Sequence, residues 1–135
     1  ALVVVVMAAA VADFRPATVS DQKIKKQAGQ EAFTVQLVKN PDILATLGAK
    51  KTTQVIMGFA AETNDLLAHA KEKLAKKHAD YIVANDVSQA GSGFGVATDQ
   101  VTILTPDQAP QAWPLLTKQE VGHRLVALLA AHLAK

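Results

Sequence analysis

The chain of 135 residues contains no cysteine, which excludes a disulfide framework, a thiol nucleophile and a thiolate metal site. It also has no initiator methionine, and its first residue already lies inside an apolar run. We therefore expect the sequence to be part of a longer chain. With half of its residues apolar, it is still the size of one domain with a buried core, spanning residues 1–135.

A strong charge of one sign is missing as well. The 14 basic and 12 acidic residues give a formal net charge of +2, which is too small to indicate a general nucleic-acid or membrane surface. Any basic site must therefore be local. We expect no nucleic-acid or membrane partner and a cytoplasmic location, with which the lack of cysteine is compatible.

No apolar run is long enough to cross a bilayer. The run over residues 3–12 ends at Asp13, and no basic segment precedes it. It is too short to span a bilayer, and although Ala8 to Ala10 imitate a signal-peptide cleavage site, we expect a core strand instead. Such a run is typical of a strand buried on both faces of a sheet. Active residues of open α/β sheets collect just beyond the carboxyl ends of such strands, and Asp13 and Lys23 fall there.

Apolar strands alternate with helical patterns along the chain, which predicts an α/β fold with a mainly parallel, Rossmann-like sheet between two layers of helices. The predicted strands cover residues 1–10, 33–38, 54–60, 81–84 and 101–104, and the predicted helices begin near residues 41, 64 and 118. The last two helices are expected to end near residues 78 and 134. Residues 88–98 are Gly-rich and read as a loose loop, and a polar link carrying Trp113 precedes the last helix.

The polar stretch over residues 14–31 is long for a connection inside a compact domain, which marks it as functional or mobile. It carries the cluster Lys23-Ile24-Lys25-Lys26. A solvated loop is one interpretation, and a cationic clamp for a polyphosphate is the other.

The helix predicted after Lys39 has the features of a helix start. Asn40 is the expected N-cap, Pro41 the first helical residue and Asp42 an acidic residue of the first turn. The apolar residues Ile43, Leu44 and Leu47 follow, and Gly48 is expected to end the helix. The amino end of a helix can accept an anion or a carbonyl oxygen.

On the helix predicted from Thr63 or Asn64 as its cap, Lys73 and Lys77 lie one turn apart beside the apolar stripe. Lys71 and Lys76 point elsewhere and are expected to be solvated. Lys73 and Lys77 either extend along the edge of the core to reach water or, together with the Lys23 cluster, neutralise phosphate charge.

Several common catalytic patterns are absent. The segment Gly91-Ser92-Gly93-Phe94-Gly95 precedes a strand rather than a helix, which disfavours a dinucleotide fingerprint. The four histidines lack zinc-ligand spacing, and no nucleophile triad can be assembled.

Five segments together resemble the carboxyl-terminal part of phosphopantothenoylcysteine synthetase, which is usually the second half of a bifunctional bacterial protein of coenzyme A biosynthesis. The segments occur in the family's order and cover nearly the whole chain: Ala8-Ala9-Ala10-Val11-Ala12-Asp13-Phe14, Lys23-Ile24-Lys25-Lys26, Val38-Lys39-Asn40-Pro41-Asp42, Gly58-Phe59-Ala60-Ala61-Glu62-Thr63 and Ala84-Asn85-Asp86-Val87.

The resemblance implies a ligase that activates 4'-phosphopantothenate with CTP and Mg²⁺ and then joins the acyl-cytidylate to cysteine. It implies a homodimer, and FMN only in a fused decarboxylase domain that this chain does not contain. The family's amino-terminal Gly-rich segment and the Asn that engages phosphopantothenate are also missing from the sequence. We therefore expect the chain to bind nucleotide without turning over alone.

The resemblance also implies a role for each matching residue. Lys23 heads a flap over the intermediate and is the implied catalytic residue, while Ala9 and Ala10 allow close backbone approach to the intermediate. Asp13 helps to hold the nucleotide or its metal. The implied nucleotide-binding set is Asp13, Lys23, Lys39, Asn40, Pro41, Asp42, Phe59, Lys73 and Lys77.

Two other functions stay open. An NAD(P)-dependent oxidoreductase on a Rossmann-like sheet would bind NAD, although the first strand lacks a glycine fingerprint. A non-catalytic dimerisation or nucleotide-sensing module would associate without nucleotide chemistry.

Overall fold

A computed structural model describes residues 3–93 and 95–135. The described part forms two compact units, one of residues 3–8 with Leu44–Lys135 and one of Ala9–Ile43. The parts of our predictions that concern Ala1, Leu2 and Phe94 lie outside the described residues. Within the described residues, no helix is long and apolar enough to span a membrane.

The secondary structure consists of short strands interrupted by three helices. In chain order the elements are β1 (Val4–Met7), β2 (Phe14–Pro16), β3 (Leu37–Lys39), α1 (Ile43–Lys50), β4 (Val55–Glu62), α2 (Leu66–Lys76), β5 (Tyr81–Asp86), β6 (Thr98–Asp99), β7 (Val101–Leu104), β8 (Gln111–Ala112), β9 (Leu116–Thr117) and α3 (Lys118–Leu133).

The larger unit is built on a five-stranded sheet of order β1-β4-β5-β7-β8. The pairs β1–β4 and β4–β5 are parallel, whereas β5–β7 and β7–β8 are antiparallel. The predicted α/β class is confirmed, with parallel pairing where helices connect the strands. The link before α3, predicted to be irregular, contributes β8 and β9, and β9 pairs with β6.

Helices cover both faces of this sheet. On one face, residues of α1 and α2 pack on the strands, and the buried cluster includes Leu44, Ala70, Leu74, Ile56, Ile82 and Leu104. On the other face, α3 presents an apolar residue every fourth position, which places them on one side of the helix; the cluster there includes Val121, Leu125, Leu129, Met57, Val83 and Ile103. The predicted three-layer arrangement follows from these two clusters.

The first strand differs from the prediction. It ends at Met7 and lies at the edge of the sheet, with β4 as its only strand partner among the described residues. Val6 is 50% exposed. The continuous apolar run suggested a strand covered on both faces, but an edge position leaves side chains uncovered, so that prediction was wrong.

Helix α1 packs unusually closely on its neighbours. Gly48, which we predicted to end the helix, lies inside it and is buried. A Cβ atom at Gly48 would stand 1.8 Å from the carbonyl oxygen of Lys77, and one at Gly58 would stand 2.7 Å from Leu44 Cδ2. Glycine is therefore needed at Gly48 for close approach rather than for helix termination.

The start of α2 also differs from the prediction. The helix begins at Leu66 after Asp65, whose φ of 47° is left-handed and whose side chain makes no capping hydrogen bond. Thr63 and Asn64 therefore do not cap it. Aspartate is one of the few residues that tolerate this backbone conformation. Helix propensities and capping preferences do not predict a left-handed residue before a helix.

The final helix is confirmed over Lys118–Leu133. Thr117 and Glu120 form a capping box: the Thr117 side chain accepts from Glu120 N, and a Glu120 carboxylate oxygen accepts from Thr117 N at 2.8 Å. The hydrogen bond from the Thr117 side chain lowers the pKa of Glu120 below its usual value, and a smaller contribution comes from the Thr117 backbone N–H. The helix therefore starts at a defined residue.

Asp80 joins the amino-terminal ends of β4 and β5. Its carboxylate accepts from Lys51 Nζ at 2.9 Å and from Ile56 N at 2.8 Å, while its own N–H donates to Ile56 O at 2.9 Å. The side chain is largely buried, with 25% exposed. This contact fixes the relative placement of the two strands.

Tyr81, the only tyrosine of the chain, connects the sheet to the last turn of α3. Its hydroxyl lies 2.7 Å from His132 Nδ1, and the two rings pack edge to face with centroids 5.5 Å apart. Burial raises the pKa of Tyr81 above its ordinary value of 10.0, and the negative charge of Asp80 adds to this effect.

We expect tyrosinate absorbance of the folded protein to appear with a midpoint above pH 10, because folding favours the neutral phenol. The stabilisation linked to neutral Tyr81 is complete below the unfolded pKa and is lost as pH rises through the folded pKa. An alkaline absorbance titration measures this directly, with the denatured chain as the control. Equal midpoints for the folded and denatured chains would contradict the expectation.

The smaller unit contains a short antiparallel hairpin. Phe14 lies opposite Lys39, and Pro16 lies opposite Leu37. The strand predicted over residues 33–38 was therefore placed too early: only Leu37 and Val38 of that range belong to β3. Pro16, which has no N–H to donate, ends the ladder, and one further hydrogen bond joins Ala17 N to Gln36 O at 2.8 Å.

Candidate functional site

The hairpin β2–β3 brings together two predicted site segments that are far apart in sequence. The N–H of Asn40 donates to the carbonyl oxygen of Asp13 at 2.8 Å, and Lys39 lies opposite Phe14. Asp13, Lys39 and Asn40 therefore lie at one end of the hairpin. This arrangement was not evident from the helix-start interpretation, which treated residues 39–42 separately.

Asn40 does not cap a helix as predicted, because α1 begins only at Ile43. Its side chain instead makes contacts across the hairpin: Nδ2 donates to Ala12 O at 2.7 Å, and Oδ1 accepts from Arg15 Nη1 at 2.9 Å. The Asn40 side chain therefore bonds residues that are distant in sequence instead of capping the helix that follows it. Pro41 and Asp42, predicted as helical, lie in the exposed connection before α1.

Arg15 is a residue of this corner that sequence reasoning missed. Its Nη1 also donates to Lys39 O at 3.2 Å. Local spacing gave no signal for it, because its partners Lys39 and Asn40 are more than twenty residues away in sequence.

Ala9 and Ala10 lie in the irregular, exposed segment that follows β1. Val11 N donates to Ala9 O at 3.2 Å, which bends the backbone there. Alanine side chains leave this backbone accessible, which is the property the prediction requires.

Lys23 is exposed in the long irregular segment of the smaller unit. Its neighbours Lys25 and Lys26 line an open cavity of about 450 Å³ together with Ile24, Gln30, Glu31, Ala32 and Phe33. Lys23 is not among the lining residues. The basic segment therefore combines cationic and apolar groups on one exposed surface.

In the larger unit, Lys73 and Lys77 are half-buried, whereas Lys71 and Lys76 are exposed. This distribution matches the orientation predicted from the helical pattern. Lys73 Nζ lies 3.5 Å from the carbonyl oxygen of Phe59, so the predicted residues Phe59 and Lys73 are neighbours. This contact is at the long limit of a hydrogen bond and leaves the ammonium group other donors.

The carboxyl end of β5 is a polar cluster. The Asp99 carboxylate accepts from Ser92 Oγ at 2.5 Å and from Asn85 Nδ2 at 3.3 Å. The Asp86 carboxylate accepts from Ser88, and the Ser88 side chain, followed by its backbone N–H, lowers the pKa of Asp86. The loop that was expected to be loose is thus tied to the sheet.

The same loop connects β5 to β6 rather than a strand to a helix, as the sequence indicated. Its Gly93 carbonyl oxygen accepts from Lys118 Nζ at 2.8 Å. The connection therefore lacks the helix start on which a dinucleotide fingerprint depends.

Across residues 3–93 and 95–135, no three or more acidic or histidine side chains cluster as a ready-made metal site. Asp13 is an exposed carboxylate in the smaller unit. Mg²⁺ is commonly held by one or two carboxylates together with substrate phosphates. The donor set thus fits a metal that arrives with a polyphosphate.

The larger unit has the architecture of a three-layer α/β domain, with helices on both faces of its sheet. The chain matches the family described as the DNA/pantothenate metabolism flavoprotein C-terminal domain over residues 1–133. It belongs to this family.

Individual relatives agree with this assignment. The coenzyme A biosynthesis bifunctional protein CoaBC of Bacillus subtilis is 46% identical over 128 residues, covering 95% of this chain and 31% of the relative. A crystal structure of the C-terminal domain of a CoaBC protein superimposes with a TM-score of 0.74 at 35% identity, covering 98% of this chain and 55% of that one. The resemblance drawn from the five segments is confirmed.

A further solved structure supports the fold alone. The DNA/pantothenate metabolism flavoprotein from Streptococcus pneumoniae is 22% identical, with a TM-score of 0.71 over 95% of this chain and 60% of that one. The chain spans about a third of the length of the curated relatives it matches, 31% and 29% for the first two.

Proposed function

We propose that this chain supplies the nucleotide-binding part of a phosphopantothenate–cysteine ligase of coenzyme A biosynthesis that uses CTP and Mg²⁺. The observation that carries the proposal is the hydrogen bond from Asn40 N to Asp13 O, which joins two segments that the resemblance assigns to one nucleotide. Family membership and the printed names of the relatives support it.

The reaction has two steps. The carboxylate of 4'-phosphopantothenate attacks the α-phosphate of CTP, forming an acyl-cytidylate and releasing pyrophosphate. The amine of cysteine then attacks the acyl carbon, forming an amide and releasing CMP. Both steps need positioning and neutralisation of phosphate charge rather than a covalent protein intermediate, and a site with lysines but no cysteine nucleophile meets that need.

Within this proposal, Lys73 and Lys77 neutralise phosphate charge beside Phe59, and residues 39–42 contact the base or ribose largely through backbone groups. Lys23 acts on the intermediate from the exposed segment of the smaller unit, and Ala9 and Ala10 offer it an accessible backbone. Asp13 holds the nucleotide or its Mg²⁺. The metal, bound through the phosphates, would supply further charge neutralisation.

The proposal extends to the protein's partners. The chain acts in the cytoplasm as part of a homodimer and depends on residues outside it for the phosphopantothenate side of the site. A fused decarboxylase domain with FMN fits the bifunctional relatives, of which the chain covers 31% in the Bacillus subtilis protein. By itself the chain binds nucleotide without completing the reaction.

Calorimetric titration of the complete native protein with CTP, ATP and NAD in the presence of Mg²⁺ tests the proposal. We expect selective CTP binding that Lys73→Ala weakens by about tenfold, the usual order for one charge-assisted contact. Within the described residues, the ammonium group of half-buried Lys73 has one long hydrogen bond, to Phe59 O at 3.5 Å. Its removal should therefore leave the thermal midpoint nearly unchanged.

Lys71→Ala is the matched control, because Lys71 lies on the same helix but is exposed. It removes the same charge and should leave CTP affinity within twofold of the wild type. Equal weakening by both variants would indicate general charge attraction rather than a defined contact. Binding of NAD alone would favour the oxidoreductase instead.

A further inference from the structure

The corner of the smaller unit at Asp13 and Asn40 contains a side chain to which the proposed function assigns no role. We propose that Arg15 is a positioning residue for nucleotide binding, acting through Asn40 on residues 39–42 and on Asp13. This inference rests on the proposed function and adds a residue to it. Arg15 need not touch the nucleotide.

The geometry is that of a cross-strand bracket, which we define as Arg15 and Asn40 together. One guanidinium nitrogen, Nη1, donates both to Asn40 Oδ1 at 2.9 Å and to Lys39 O at 3.2 Å. The side-chain amide of Asn40 extends this hydrogen-bond network, because its Nδ2 donates to Ala12 O at 2.7 Å. Arg15, on β2, thus holds both the end of β3 and the chain just before β2.

Both ends of the Asn40 side chain are occupied by these contacts. Its Oδ1 accepts from Arg15 and its Nδ2 donates to Ala12 O, while its backbone N–H donates to Asp13 O. A ligand would therefore meet this segment through its backbone and through the neighbouring Lys39, which is exposed. The Asn40 side chain determines where the backbone and Lys39 of this segment lie. Arg15 in turn fixes the orientation of the Asn40 side chain.

Little else fixes the hairpin. It has only three residue pairs, and its apolar residues Phe14 and Leu37 are 55% and 54% exposed. A short two-stranded hairpin with so little burial is marginal by itself. The side-chain hydrogen bonds across its open end therefore do much to determine how its two strands are placed.

Lysine cannot replace arginine in this arrangement. The planar guanidinium offers several N–H groups in a fixed fork, whereas the lysine ammonium is a single point on a flexible stem. Arg15→Lys keeps the charge but loses the geometry of the bracket, so it separates positioning from electrostatic attraction of a phosphate.

The test is CTP titration of the complete native protein carrying Arg15→Ala, Arg15→Lys, Asn40→Ala or the double alanine change. We expect each single alanine change to weaken CTP binding by about tenfold. Arg15→Lys should bind CTP almost as weakly as Arg15→Ala. The double variant should bind CTP no more weakly than the weaker of the two single alanine variants. Lys71→Ala, an exposed cation of the larger unit, controls for lost charge.

Amide hydrogen exchange without nucleotide gives an independent measurement. The Asn40 amide, which donates to Asp13 O, should exchange faster in Arg15→Ala than in the wild type, while amides of β5 keep their protection. A merely electrostatic role for Arg15 would leave this exchange unchanged.

Three results would overturn the inference: CTP affinity of Arg15→Ala within twofold of the wild type, multiplicative losses in the double variant, or full affinity in Arg15→Lys. Failure of the wild type to bind CTP would instead overturn the proposed function and with it the nucleotide part of this inference. The exchange rate at Asn40 then still decides whether Arg15 orders the hairpin.

Discussion

Gly48→Ala is expected to destabilise the larger unit by about 3 kcal/mol, at the upper end of the usual cost of overpacking. The new Cβ would lie 1.8 Å from the carbonyl oxygen of Lys77. Because that oxygen belongs to the backbone, the contact can be relieved only if α1 and the end of α2 move apart. Thermal or denaturant unfolding measures the loss.

The same chain offers an opposite control. Gly122 lies in α3, is exposed, and has nothing within 4 Å of its would-be Cβ. Alanine in an exposed helix interior is favoured over glycine by roughly 1 kcal/mol, so Gly122→Ala should raise stability. If both substitutions were stabilising, the close approach of α1 to α2 would be wrong.

Lys23→Gln is expected to lower turnover of the complete enzyme by about a hundredfold, the order found when one preorganised group that stabilises developing charge is removed. The acyl-cytidylate should accumulate, since the proposed role of Lys23 is on the intermediate. Rapid quenching followed by separation of nucleotides measures this species. The thermal midpoint should stay constant, because Lys23 is exposed.

Lys50→Gln is a suitable comparison, as Lys50 is an exposed lysine at the end of α1. It removes one positive charge outside the proposed site and should leave turnover unchanged. A lower melting temperature for Lys23→Gln together with normal turnover would place Lys23 in the structure of the segment rather than in catalysis.

The sequence predicted best those elements whose periodicity agreed with their burial. Residues 101–104 were predicted as a strand and form β7, and the final helix was placed within one residue at each end. Both contribute apolar residues to the same buried cluster. The predictions failed where tertiary contacts outweigh local preference. Gly48 does not end α1 but allows close packing against Lys77 O, and Asp65 precedes α2 with a left-handed backbone and no side-chain capping hydrogen bond.

For the candidate site, motif order was more informative than local chemistry. The pattern correctly separated Lys73 and Lys77 from Lys71 and Lys76 by burial, because helical spacing determines which side chains lie beside the core. It misassigned Asn40, whose partners Arg15 and Ala12 are more than twenty residues away in sequence. Nothing in local spacing predicts such a pairing, since it requires the register of β2 on β3.

The edge of β1 is a surface at which copies of this chain can associate in solution. A valine-rich strand with one side unpaired in the described sheet, and with Val3 and Val6 about half exposed, is a template for the addition of a strand from another molecule. Concentrated samples therefore have a route to self-association that is independent of nucleotide and of the proposed homodimer. Self-association that persists without CTP is therefore not by itself evidence for the proposed homodimer.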